Sequence, residues 1–179
     1  LPLSRGLGDV YKRQFYDNSF MKKLFPFQGK TVKVTKDMCD FNGHMNVNHI
    51  KKVFEQGWEF AASEFGINEE HFANGFSSFT LEDNYRFKKE FLEGQLIHPY
   101  FRLYNVNEKL FHLIGALFDD DNNICAMYET VEGHVDMSIR KIAPMPHPMI
   151  TNMLNLKEEH SSMGEIPYDI RLKIKTYKE

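Results

Sequence analysis

The sequence predicts an α+β fold, an antiparallel sheet wrapped around one long central helix. Three observations lead there. Ile50, Val53, Phe54, Gly57, Trp58, Ala61 and Phe65 recur at i, i+3, i+4, i+7, i+8, i+11 and i+15, the stripe of an amphipathic helix. Four strand-like segments follow between Ser77 and Met137. Two of them flank the run DDDNN, Asp119 to Asn123, a strong turn signal that makes a hairpin. One helix cannot cover both faces of such a sheet. The simplest solution curls the sheet around the helix and buries the remaining surface by pairing two copies.

The elements read in order as follows. Leu1 to Gln14, LPLSRGLGDVYKRQ, has no clear amphipathic period and reads as a translated adaptor rather than native protein. Residues 1–20 are therefore expected to be a non-native or disordered leader, with MKKLFPF starting at Met21. Gln28 to Lys36 alternates, with Val32 and Val34 opposite Lys33 and Thr35, and predicts a strand. Asp37 to Met45 is a polar loop. Asn46 or Asn48 is placed to cap the helix, and Gly66 to close it. The sheet segments are Ser77 to Phe87, Leu96 to Val106, Leu110 to Phe118 and Ile124 to Met137. Pro144, Pro146 and Pro148 break regular structure, Met149 to Glu159 suits a short helix, and the tail from Tyr168 is charged and expected to be peripheral.

Composition excludes several function classes. Of 179 residues, 42% are apolar and 16 are Phe, enough for a packed core rather than disorder. Charge is mixed, 22 − 25 = −3, so no nucleic-acid surface is implied. Short basic clusters such as Arg86-Phe87-Lys88-Lys89 suit solvated faces or the phosphates of a ligand. No apolar run approaches the roughly 18 residues of a membrane span. The two cysteines, Cys39 and Cys125, form no CxxC pair, and with nine Met they fit a reducing cytoplasm. Cys39, Asp40, His44 and His49 are metal-ligand types, but their spacing matches no zinc pattern, so no metal and no cofactor is expected.

The informative stretch is DMCDFNGHMNVNHI, Asp37 to Ile50, followed by Phe54-Glu55. It resembles the signature of the 4-hydroxybenzoyl-CoA thioesterase-like hotdog family: an Asp, two spacers, Gly-His, a small turn with Asn, then the central helix. Strand order and length extend the likeness over roughly Lys30 to Pro146. The resemblance implies a hotdog domain over residues 21–146, with a C-terminal extension over 147–179, and a homodimer or homotetramer acting on acyl-CoA. Asp40 then matches the catalytic carboxylate, activating water or attacking the thioester directly. The first N–H groups of the helix lack intrahelical partners and lie at its positive end, so they can hold an oxyanion. In the family that donor lies near the position of Val47.

The surrounding residues take supporting roles. Asn46 is a cap that can also assist catalysis, and Gly43 permits a sharp turn and a close approach of substrate. His44 either touches substrate or holds the loop. His49 stands where the family usually has Tyr. Trp58, with Tyr85 and Phe87, would form an aromatic wall for a cationic acyl group or simply part of the core. A second segment, Ala126 to Asp136 with Arg140, Pro144 and Pro146, resembles the exit of a subgroup that includes betainyl-CoA thioesterase domains. There Glu129 matches a carboxylate that positions water or recognises a cationic acyl group, whereas His134 and Asp136 fall on the opposite side and suit structural roles. The implied activity is hydrolysis of a small or polar acyl-CoA in the cytoplasm. The alternatives are a non-catalytic acyl-CoA-binding module and a hotdog hydratase or dehydratase, which would want its His and carboxylate at another spacing.

Overall fold

The computed structural model describes residues 22–174; the expectation for residues 1–20 lies outside them. Its strands are β1 (Phe27–Gln28), β2 (Val32–Lys33), β3 (Phe76–Phe87), β4 (Leu96–Val106), β5 (Leu110–Phe118), β6 (Ile124–Asp136) and β7 (Lys141–Ile142). Among the described residues they are joined by the α-helices α1 (Val47–Ala62), α2 (Glu69–Ala73) and α3 (His147–Ser162). The sheet runs β1-β4-β5-β6-β3, with β2 also on β4 and β7 on β6, and every pairing is antiparallel.

The predicted strand over 28–36 is split in two. At its break, Gly29 donates to the Pro99 carbonyl at 2.9 Å and runs so close to α1 that an added Cβ would lie 3.0 Å from the Gly57 Cα. Helix α1 buries Ile50, Val53, Phe54, Gly57 and Ala61 of the stripe read from the sequence, and Ala62 besides, while Trp58 of that stripe is half-buried. It ends a turn earlier than that stripe. Gly66, at φ 85°, reverses the chain while Ile67 N–H returns to the Ala62 carbonyl at 2.9 Å, and Phe65 stays buried in the turn. The β5–β6 turn is organised by Asp119, whose Oδ1 accepts from the N–H groups of Asp121 and Asn123.

Strand alternation produces two distinct packed faces. On the helix side, Phe54 meets Ile97, Phe101, Leu117 and Tyr128 in one cluster. Beside it, Phe65 meets Leu103, Phe111 and Leu113, joined by Met149 and Met153 of α3. That helix is longer than the predicted 149–159 and belongs to this core. On the outer side, Ile114, Ala116 and Phe118 are covered by Leu24, Phe25, Ile166, Tyr168 and Ile170, and Leu110 and Val131 by Leu172 and Ile174. The tail is therefore not peripheral. Its apolar residues alternate with charged ones and lie on the sheet, so the chain itself buries a surface that the sequence reading assigned to pairing of copies.

Helix and sheet meet closely at Gly57, where an added Cβ would lie 2.6 Å from the Phe101 ring. Gly57→Ala is accordingly expected to destabilise by about 1–3 kcal/mol, the usual range for overpacking, although Ala is the better helix former. Urea unfolding of the two proteins measures this; an unchanged or raised midpoint would refute the tight contact.

Candidate active site

The loop before α1 is a tight hairpin. Cys39 bridges to Met45, Asp40 N–H donates to the His44 carbonyl, and Gly43 N–H donates to the Asp40 carbonyl, both at 3.0 Å. The turn requires φ 82° at Gly43, a conformation that suits glycine. Met45 N–H donates to the Phe91 carbonyl and Asn46 N–H to the Met38 carbonyl, both at 2.8 Å. The loop is thus pinned on both sides at the start of the helix.

This brings Asp40 and the helix N-terminus together. Asn46 caps α1, its Oδ1 accepting from Asn48 N–H at 2.9 Å, while its Nδ2 donates to Asp40 Oδ2 at 3.5 Å. Asp40 Oδ1 accepts from Asn42 N–H at 2.9 Å. Among the described residues, the Val47 N–H has no hydrogen-bond partner. A carboxylate and a free backbone donor therefore flank one asparagine at the positive end of a helix.

A cavity of about 400 Å³ opens beside them, between the helix start and the end of β3, walled by His44, Met45, Val47, Ile50 and Phe87, with Lys88 to Glu90 at its rim. Asp40 does not line it. His44 Nδ1 lies 3.5 Å from Glu90 Oε2, so His44 belongs to both loop and cavity. Lys89 is held by Asp119 at 2.6 Å. Burial alone would raise the Asp119 carboxyl, but hydrogen bonds from Lys89 and Asn123 bring it down to about 2. Cys125, buried nearby, is pushed up to about 11, which leaves it an inert thiol.

The other expected residues lie farther off. His49 is half-buried on the first turn of α1, and its charge contributes to lowering Asp37, after hydrogen bonds from Thr35 and the backbone. Trp58 packs half-buried against both helix-side clusters, not on the cavity. Tyr85 stacks on Tyr128 at 4.9 Å, which stacks on Phe54 at 4.9 Å, so this part of the aromatic wall is a core stack with one outer ring.

Glu129 is not beside Asp40. It pairs with Ile114 on the outer face, while its neighbour Tyr128 faces the helix. Its side chain is 0% exposed. Oε1 accepts from Arg86 Nη2 at 2.8 Å, and Oε2 from the N–H groups of Arg171 and Leu172, each at 2.9 Å. Burial works against its ionisation, but His112, these two N–H groups and Arg86 hold the carboxyl below its usual value. It anchors the tail.

The sequence reading missed a polar group on the helix side. Asp83 accepts from the hydroxyls of Tyr85 and Tyr128, each at 3.2 Å. Next to it, buried Glu132 accepts from Thr80 at 2.6 Å and Thr130 at 3.1 Å, and burial raises its carboxyl above the usual range. The signal was the period of two that places Thr130 and Glu132 on the face of Tyr128. Among the described residues, no group of three or more His, Cys, Asp or Glu gathers as a metal site would.

An antiparallel sheet curled around one buried helix is the hotdog fold. The profile of the thioesterase-like superfamily matches residues 34–154, and the chain belongs to that family. It is 25% identical over 160 residues to an L-carnitine dehydrogenase/betainyl-CoA thioesterase of Agrobacterium fabrum, a match covering 86% of this chain and 33% of that one. The chain spans about a third of the length of the curated relatives it matches. A Staphylococcus aureus protein solved in complex with CoA superposes with a TM-score of 0.71 at 19% identity, covering 82% of this chain and 95% of that one. A 1,4-dihydroxy-2-naphthoyl-CoA thioesterase from Synechocystis gives 0.63 at 16%, covering 73% and 96%.

Two outcomes follow from the anchored carboxylates. Glu129→Ala leaves Arg86 and two N–H groups unpaired in the interior and is expected to cost about 3–5 kcal/mol in urea unfolding; a loss below about 1 kcal/mol would contradict the anchor. The lowered Asp119 contributes stability that is complete above its unfolded pKa of 3.8 and is lost as pH falls through about 2. Stability measured from pH 4 down to pH 2 should therefore fall less steeply in Asp119→Asn than in the wild type.

Proposed function

We propose that this chain hydrolyses a small or polar acyl-CoA thioester to the free acid and CoA, with Asp40 as the carboxylate and the Val47 N–H as oxyanion donor. The observation that carries the reading is the Asp40–Asn46 contact at 3.5 Å beside the unpartnered Val47 N–H. Asp40 either takes a proton from the attacking water or attacks the carbonyl carbon itself. Negative charge then develops on the thioester oxygen, where the N–H and the helix dipole stabilise it. Asn46 holds Asp40 in place. Gly43 keeps the backbone open to the substrate, and His44 and Phe87 flank the bound ester. Lys88, at the cavity rim, is placed to meet a CoA phosphate.

The working unit is a homodimer joined along β3. Among the described residues that strand pairs with β6 alone; it runs 12 residues and exposes Phe79, Leu81 and Phe87. A long exposed edge invites pairing with a second copy. Such a dimer would bring the partner's β3 toward the Asp40 loop and complete an acyl pocket that one chain leaves open. A reducing cytoplasm suits its free cysteines; no described helix is long and apolar enough to cross a membrane. Lys51 Nζ sits 5.0 Å from the Tyr85 ring centre, so that face already carries a cation, and the acyl group is taken as small or polar.

Thiol release from short, aromatic and betainyl acyl-CoAs tests this, with Asp40→Asn beside the wild type. A fall of at least about 100-fold in the variant is expected, the scale of an essential acid–base group. CoA esters that bind without turnover would instead mark a binding module. Sedimentation should give twice the chain mass, and Leu81→Lys, a charge on the β3 edge, should shift it toward one chain.

A further inference from the structure

We propose that the outer face of the sheet carries a second site, built around Arg102, which binds a small organic carboxylate. Arg102 projects from β4 on the side away from α1 and is only 4% exposed. Its Nη1 donates to the carbonyls of Leu24 at 3.3 Å and Gly164 at 2.9 Å. Its Nε is buried with no hydrogen-bond partner. Among the described residues, no carboxylate lies within 4.0 Å of it. Arg86, on the same face, shows the contrast, with Glu129 at 2.8 Å.

A buried charge without a counter-charge is costly, and proteins normally pair it. Two carbonyl dipoles satisfy one nitrogen and leave the positive charge unmatched. Burial accordingly lowers the guanidinium's pKa, with only the tyrosines at 104 and 168 acting against it. The place for the missing anion is a cavity of about 580 Å³ beside Arg102, bounded by Tyr104, Tyr168, Ile166 and Ser161. This volume suits a small ligand. Tyr104 and Tyr168 border it, and Tyr168 is fixed by stacking on Phe25 at 6.3 Å, by the Arg86 guanidinium 5.1 Å from its ring centre and by its hydroxyl bond to the Gly115 carbonyl at 3.3 Å. Glu165 borders the cavity but stays beyond ion-pair distance of Arg102. A carboxylate forms two parallel hydrogen bonds with a guanidinium, and its organic body packs against the side chains that line the cavity. The tail that closes the cavity also covers the sheet, so an occupant would clamp residues 164–170 in place.

Titration calorimetry of the full chain with benzoate, inorganic phosphate and choline tests the site. Expected is one benzoate per chain, with affinity reduced at least about tenfold, or about 1.4 kcal/mol, in Arg102→Gln. Ser161→Trp, at the exposed end of α3, fills the cavity without touching the guanidinium and should reduce it similarly, which keeps the test valid if Arg102→Gln fails to fold. Wild-type thiol release is read in parallel, and Ser161→Trp should leave it unchanged. Absence of benzoate binding, binding unaltered by Ser161→Trp, or phosphate or choline binding in its place would each overturn the assignment.

Discussion

Phe101 fixes where the helix can lie. Its ring fills a slot between two glycines, with an added Cβ 2.6 Å away at Gly57 and 2.9 Å away at Gly115. No side chain fits at either position without displacing the ring, so α1 rests directly on the middle of the sheet. The helix axis is thereby set, and with it the place where its N-terminus emerges beside the end of β3. The loop carrying Asp40 is fixed by backbone bonds rather than by a packed ring. It inherits its position from the helix it leads into and from backbone bonds to Met38 and Phe91.

The two faces of the sheet do different work. The helix face carries the large rings and the helix, and the candidate active site opens at one end of it. The outer face is closed by two crossing segments, residues 24–25 and 166–174, held by Arg102 and Glu129. A strand of length 13 with nearly every residue buried, β6, is possible only because both faces are covered. The tail is thus part of the sheet's burial, and residues far from Asp40 in space decide whether β5 and β6 stay rigid beneath the helix.

The sequence was readable where one rule acted alone. Helix α1 buries a single stripe, so its period stood out, and the long strands kept their bounds within a few residues. The Asp40 loop was legible because Asp, Gly, His and Asn each do local work in one turn. Other features depended on contacts that local pattern does not encode. Gly29 splits a strand because of Gly57, far along the chain. Alternation correctly put Glu129 opposite Tyr128, but with both faces buried it did not tell which one meets the helix. The run from Ile166 to Ile174 alternates as a half-buried segment should, and its intervening charges masked the pattern.

Asn46 shows why the site needs an amide at that position. Its Oδ1 faces a backbone N–H, so it must be the acceptor; its Nδ2 faces Asp40, so it must be the donor. An aspartate there would cap the helix equally well but set a second negative charge against Asp40. A serine or threonine would cap it and is too short to reach the carboxylate while doing so. One side chain therefore links the stability of the helix start to the orientation of the carboxylate. Because the donor to Asp40 is neutral, it orients the carboxylate without forming an ion pair.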